Sequence, residues 1–161
     1  MSGNTTKQIA KHFREVYFGG NWTCSNLKDS LADVTWQNAT TKVHSLNTIA
    51  ALVFHINYYV EAVLKVLKGE ALDSHDKYSF DVPVISSQEE WQNLLDKSWA
   101  DAEEFALLVE ELADEMLWKT FSEEKYGIYY RNLHGVIEHT HYHLGQIALV
   151  KKIVIQKDAL Q

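Results

Sequence analysis

Hydrophobic residues recur along most of the chain with the three- and four-residue spacing of one helix face. Four long helices are predicted from this spacing, over residues 5–18, 47–68, 87–118 and 128–155. Gly19 and Gly69 follow the first two, as is typical of a residue that ends a helix. Ser87 and Glu90 have the spacing of a capping box at the start of the third.

The segments between these helices are polar or irregular. Residues 21–40 predict a shorter helix followed by a polar connection, and residues 70–86 predict a connection that contains the single proline, Pro83. Seventeen residues exceed what an antiparallel helix hairpin needs, so this connection is expected to cross the end of a bundle. We therefore expect an all-α four-helix bundle in which residues 1–161 form one domain.

The composition narrows the function classes. The 161 residues are 46% hydrophobic and 23% charged, and the net charge of −7 argues against an electrostatic grip on nucleic acid. No segment has the uninterrupted apolar length of a membrane span, and the N-terminus lacks a secretory signal. A single cysteine, Cys24, which we expect to be small and buried, agrees with a cytoplasmic location.

Half of the eight histidines lie in the stretch HGVIEHTHYHLGQ, residues 134–146. With about 100° per helical residue, His139 and His143 flank the apolar arc of the last helix. His134 and His141 fall on the opposite side, where we expect them to be solvated. Because His139 and His143 are one turn apart, their rings can converge on one metal ion.

A third candidate ligand lies on the second helix. His55 borders the apolar arc of that helix, and with His139 and His143 it would complete a site of three protein ligands, the number typical of catalytic zinc. The alternative for His55 is a core histidine bonded to a neighbour such as Tyr129. The other three histidines are expected at the surface: His12, His44 and His75.

Several chemistries lack their sequence signature. The glutamate of a HExxH metalloprotease is replaced by Thr140, and the chain has neither a GxGxxG nor a P-loop motif. The paired glutamates at 103–104 and 110–111 are interpreted as a solvated helix face.

Two segments resemble a known family. ALVFHINYYV (51–60) and LHGVIEHTHYHLGQI (133–147) are similar to the DinB-like superfamily of damage-inducible bacterial proteins, and the similarity extends over essentially the whole chain. The resemblance implies an up-down-down-up four-helix bundle and a metal site at His55, His139 and His143. It also implies zinc or nickel as the metal, and relatives that are thiol-dependent transferases and isomerases.

Two functional hypotheses follow. The first is a metal-dependent enzyme acting on a small molecule, in which the ion lowers the pKa of a low-molecular-weight thiol or of water, with S-transfer, isomerisation or hydrolysis as the reaction. Gln146 and Tyr59 would assist from beside the ion, and no general base is assigned. The second is a non-catalytic metal-binding stress-response protein. The many aromatic residues also suggest a homodimer.

Overall fold

The chain folds into α-helices joined by turns, as seen in a computed structural model that describes residues 4–158. Over these described residues the six α-helices are α1 (Thr5–Phe18), α2 (Leu27–Leu31), α3 (Trp36–Thr40), α4 (Ile49–Leu67), α5 (Gln88–Glu111) and α6 (Tyr129–Asp158). Short 3₁₀ turns cover Asp76–Tyr78, Asp114–Trp118 and Glu124–Tyr126. Within the described residues no strand forms; one isolated bridge joins Thr120 to Ile128. The expected all-α class is confirmed.

The helix ends follow from capping. The α4 helix begins at Ile49 because the Thr48 side chain accepts a hydrogen bond from the amide of Ala51. The α5 helix begins after Ser87, whose hydroxyl accepts from the Glu90 amide as predicted. The Glu90 carboxylate accepts hydrogen bonds from the amide and hydroxyl of Ser86 instead of from the amide of Ser87, so the capping box is shifted by one residue.

Two predicted segments differ from the structure. The third long helix ends at Glu111 instead of near Trp118, because Leu112 takes an extended conformation and a separate 3₁₀ turn follows. The segment 21–40 holds two five-residue helices, α2 and α3, each with its own capping side chain. Local caps of this kind interrupt a helix without changing its hydrophobic spacing, so the spacing alone does not detect them.

The four longer helices pack side by side. The α1 helix contacts α5 and α6, and α4 contacts the same two helices. The predicted apolar faces supply the core, with residues such as Phe13, Ile56, Trp91 and Ile147 at most 2% exposed. The Trp91 indole also donates to the Val34 carbonyl, which ties α5 to the turn before α3.

The α4 helix is long and apolar enough to span a membrane by length and composition alone. However, 72% of the window that meets this test is buried inside the protein. This is what a core helix looks like, because it contacts protein on nearly every side.

One surface prediction is wrong, and another gains partners that the sequence did not show. Cys24 is exposed, with a positive φ of 54° in the turn after α1, because it lies outside any apolar face. The predicted solvated glutamates include Glu103 and Glu110, which both accept hydrogen bonds from Arg14. These bonds join α1 to α5 across the surface, and periodicity within one helix carries no information about such partners.

The connection 70–86 returns along α4, and side chains of α4 hold it. The Tyr58 hydroxyl bonds to the backbone of His75 at both its amide and its carbonyl. One residue further, the Tyr59 hydroxyl donates to the Asp76 carboxylate at 2.8 Å. These contacts bring Ser79 and Phe80 against the middle of α4, where His55 lies.

Candidate metal centre

Three histidines from two helices meet between α4 and α6. His55 comes from α4, and His139 and His143 come from consecutive turns of α6. His55 and His143 are each 7% exposed, and His139 is half-buried. We call these three residues the inner histidines; they are the residues that the sequence predicts as ligands, and the structure brings them together.

The facing ring atoms of the inner histidines are all Nε2 nitrogens. The His139 Nε2 lies 3.1 Å from that of His55 and 3.0 Å from that of His143. Each residue has a ligand nitrogen within 4.8 Å of the other two. Nitrogens bound to one divalent ion lie about 3 Å apart, since each metal–nitrogen bond is about 2.0–2.1 Å. The spacing therefore fits a common ion.

The opposite nitrogen of two of these rings is hydrogen-bonded. The Nδ1–H of His55 donates to the Ser79 carbonyl at 3.2 Å, and the Nδ1–H of His143 donates to Gln146 Oε1 at 2.7 Å. A proton on Nδ1 leaves Nε2 with a free lone pair, so both rings present a lone pair toward His139. These outer bonds are the arrangement by which proteins orient metal-binding imidazoles.

His139 lacks such a partner. Its Nδ1 is buried and makes no hydrogen bond in the described part of the chain. If Nδ1 carries the proton, the three Nε2 lone pairs point at one another and repel. If Nε2 carries it, one of the two neighbouring lone pairs is left without a donor. A cation among the three Nε2 atoms resolves this conflict, so the donor set fits a metal ion.

The electrostatics favour neutral rings. Burial lowers the pKa of His139 to about 4, with further lowering by the adjacent His143 and His55. Burial also lowers the pKa of His55 and of His143, against the opposing effect of their hydrogen-bond acceptors. Neutral imidazole is the form that binds metal, so near neutral pH no proton has to leave before an ion binds.

Residues that the sequence did not indicate complete the surroundings. The Phe80 ring stacks on His55 with centroids 3.9 Å apart and a 9° tilt, which fixes the plane of the imidazole. Phe80 and Ser79 lie in a connection without periodicity, where no pattern indicates contact with α4. Tyr59, which the sequence does place beside the ion, packs edge-on against His55 and His139, and its hydroxyl donates to Asp76. The alternative partner of His55, Tyr129, is not its hydrogen-bond partner in the structure.

The remaining histidines of α6 lie on its other flank. His134 and His141 are half-buried rather than solvated, because α1 covers this side of the helix. The centroid of the His141 ring lies 6.1 Å from that of the His12 ring on α1, and the His134 ring packs on that of Tyr130. Burial, and then repulsion by His12, lowers the pKa of both. We call His12, His134 and His141 the outer histidines; His44 and His75 are exposed as predicted.

A cleft of 340 Å³ opens beside the inner histidines. Its walls come from α4 and α6 and include Tyr59 and His139. Further along α6 it is lined by Arg131 and Asn132. A small molecule in this cleft would contact the edge of the candidate metal centre.

Comparisons with known proteins identify no relative. No family model, no curated protein and no solved structure matches the chain. Function must therefore be argued from the site itself.

Proposed function

We propose that the protein is a metal-dependent enzyme that acts on a small molecule at a divalent ion held by His55, His139 and His143. The observation that carries the proposal is the convergence of three buried or half-buried imidazoles, in which the Nε2 atoms of His55 and His143 lie 3.1 Å and 3.0 Å from that of His139. The resemblance of residues 51–60 and 133–147 to DinB-like proteins supports the same ligands. With it we propose the DinB-like four-helix bundle, up-down-down-up, for the packing of α1, α4, α5 and α6.

The residues of the site have separable roles. Ser79 and Gln146 hold the protons of His55 and His143 on Nδ1, so that both rings offer Nε2. Phe80 keeps the His55 ring in plane and covers it from solvent. Three protein ligands leave positions on the ion open, as in catalytic rather than structural zinc sites. When bound, an ion held by neutral imidazoles lowers the pKa of a thiol or water that reaches it.

A low-molecular-weight thiol is the co-substrate that we propose first, with S-transfer or isomerisation as the reaction class; hydrolysis is the alternative. The thiol route is supported by the family resemblance. The cleft beside His139 supplies room for a small molecule next to the ligands. Zinc and nickel are the metals that we propose, since both accept imidazole nitrogen.

Elemental analysis tests the metal. We expect protein purified without added metal to contain about one zinc or nickel per chain, and His55→Ala to lose it. Full metal content in His55→Ala would overturn the three-ligand site. Turnover is tested next with a panel of thiols and electrophiles. We expect activity in the wild type and none in His143→Ala, with circular dichroism as the control for folding.

The second candidate is a metal-binding stress-response protein without turnover. The observation in its favour is that the inner histidines join α4 to α6, so an ion among them would stabilise the fold. Metal content with no activity across the panel, together with a higher melting temperature on metal addition, would favour this function.

We also propose that the protein is a cytoplasmic homodimer. Large apolar side chains stay exposed on the single chain, including Tyr142 at 65% and Leu149 at 58% on one face of α6. Light scattering tests the dimer: twice the mass of one 18.5 kDa chain is expected.

A further inference from the structure

The far end of the cleft between α4 and α6 carries a cationic side chain to which no function has yet been assigned. Arg131 and Asn132 lie there, in the first turn of α6. They are eight and seven residues before His139, or about 10–12 Å along the helix. Between the two ends the lining is largely apolar, from Ala62, Val63 and Val136. The cleft thus joins a cationic end to the inner histidines.

The Arg131 side chain is held in place by the turn before α6. One guanidinium N–H donates to the Tyr126 carbonyl at 2.9 Å, and the Asn132 side chain donates to the same oxygen at 2.9 Å. A guanidinium has five N–H donors, so four remain. A side chain that is already anchored loses less entropy when it binds a ligand.

The charge of Arg131 is not neutralised by the protein. The chain has two arginines, and the other, Arg14, is paired with Glu103 and Glu110. Across residues 4–158, Arg131 forms no ion pair with a carboxylate, and its only hydrogen bond is to a backbone oxygen. Glu138 also lines the cleft, but two helical turns away and next to His139. The cationic end is therefore free to bind an anion.

We propose that Arg131, assisted by the first turn of α6, binds the carboxylate of a small organic acid whose other end reaches the inner histidines. Planar guanidinium donors match a carboxylate with two parallel hydrogen bonds, and the partial positive charge of a helix N-terminus adds to the attraction. The apolar middle of the cleft suits a hydrocarbon linker that is long enough to join the two ends. The inference rests on the proposed function only for the contact between the ligand and the inner histidines. The anion site at Arg131 does not depend on the metal.

The first experiment uses metal-free protein with glutarate as the probe. We expect glutarate to shift the Nε–Hε resonance of Arg131 in a saturable manner. Affinity should fall at least about tenfold in Arg131→Gln. The matched control is Lys152→Gln, which removes the same charge from an exposed position about 30 Å further along α6. Equal affinity in wild type and Arg131→Gln would overturn the proposal, as would an equal loss in both variants.

Inorganic phosphate distinguishes the kind of anion. A phosphate that binds more tightly than glutarate, and loses that affinity in Arg131→Gln, would overturn the assignment to carboxylates. Weaker phosphate binding supports it, because the apolar lining then contributes to the recognition of the hydrocarbon.

A second experiment separates this inference from the proposed function. In cobalt-loaded protein we expect 6-mercaptohexanoate, whose chain is long enough to reach from the ion to Arg131, to bind at least about tenfold more tightly than 6-mercapto-1-hexanol, as measured by the thiolate-to-cobalt absorption band. In Arg131→Gln the two thiols should bind equally. His55→Ala should lose the cobalt signal and still bind glutarate. Absence of cobalt binding in wild type with intact glutarate binding would reject only the metal site; an unchanged thiol preference in Arg131→Gln would reject only the anion site.

Discussion

The two flanks of α6 each carry histidines, and the two groups differ in geometry more than in composition. On the inner flank His139 and His143 face His55 of α4, and the His139 Nε2 lies 3.0–3.1 Å from the other two; His55 and His143 also have hydrogen-bond acceptors behind the ring. The outer histidines face α1, where the rings of His12 and His141 are 6.1 Å apart. No hydrogen bond joins the outer three to one another between residues 4 and 158. Density of histidine in the sequence therefore does not distinguish the two groups, whereas convergence with oriented nitrogens does.

The largest expected difference between the flanks is in metal affinity. His139→Ala removes the nitrogen nearest to both other inner histidines, and we expect the affinity for zinc or nickel to fall more than about a hundredfold. This exceeds the roughly 10–100-fold loss that is typical when a residue hydrogen-bonded to a metal ligand is removed. His141→Ala, two residues away, should leave the affinity within about twofold. Isothermal titration with chelator competition measures both, and an equal loss in the two variants would remove the distinction between the groups.

A smaller effect is expected from the partner behind one ligand. Gln146→Leu keeps the size of the side chain but leaves the His143 Nδ1–H without an acceptor. Loss of such a partner costs about 10–100-fold in metal affinity. The matched control is Gln156→Leu, an exposed position on the same helix. If Gln146→Leu binds metal as tightly as wild type, the orientation of His143 does not depend on this bond.

The pH dependence of stability should also separate the flanks. Burial and two neighbouring imidazoles lower the pKa of His139 to about 4, against an ordinary value of 6.5. In the unfolded chain His139 binds a proton below about pH 6.5, whereas in the folded chain it binds one only below about pH 4. The free energy of unfolding of metal-free protein should therefore decrease as the pH falls from about 6.5 to about 4.

Urea titrations between pH 7 and pH 4 in the presence of a chelator measure this dependence. We expect His139→Gln to flatten it more than His134→Gln, because burial and repulsion from two imidazoles lower the pKa of His139, whereas burial and repulsion from one imidazole lower that of His134. A larger flattening in His134→Gln would reverse the comparison.

The smallest effect is expected at the exposed member of the outer group. His12→Ala removes a ring that contacts His141 at 6.1 Å and has no buried partner to leave behind. The free energy of unfolding should change by no more than about 0.5 kcal/mol, and metal affinity should stay the same. Denaturant unfolding with and without zinc checks both; a change of several kcal/mol would mean that the outer histidines have a structural role.

The sequence predicts the helices and the inner histidines because both depend on periodicity. Ile9, Phe13 and Val16 lie on one face of a helix wherever that helix packs, and the same angles place His139 and His143 together. Arg131, by contrast, is part of the cleft only because the Tyr126 carbonyl holds it, and Phe80 reaches His55 only because the connection folds back on α4. These contacts are tertiary, and a single helical wheel does not contain them.

The position of the outer histidines illustrates the same limit. The wheel correctly separates His134 and His141 from the inner pair, but predicts water where α1 lies. A helix that packs against two neighbours has two partly covered flanks, and its apolar stripe marks only the more hydrophobic one. The spacing of hydrophobic residues consequently does not predict which residues are half-buried on the second flank.

The 84 positions that separate His55 from His139 give a bound ion a mechanical consequence. An ion that joins the two would act as a reversible cross-link, closing most of α4, all of α5 and the start of α6 into one loop. Cross-links that close long loops remove the most conformational entropy from the unfolded chain. Metal would then be expected to oppose the separation of α4 from α6 under an applied pulling force, and a chelator would release it.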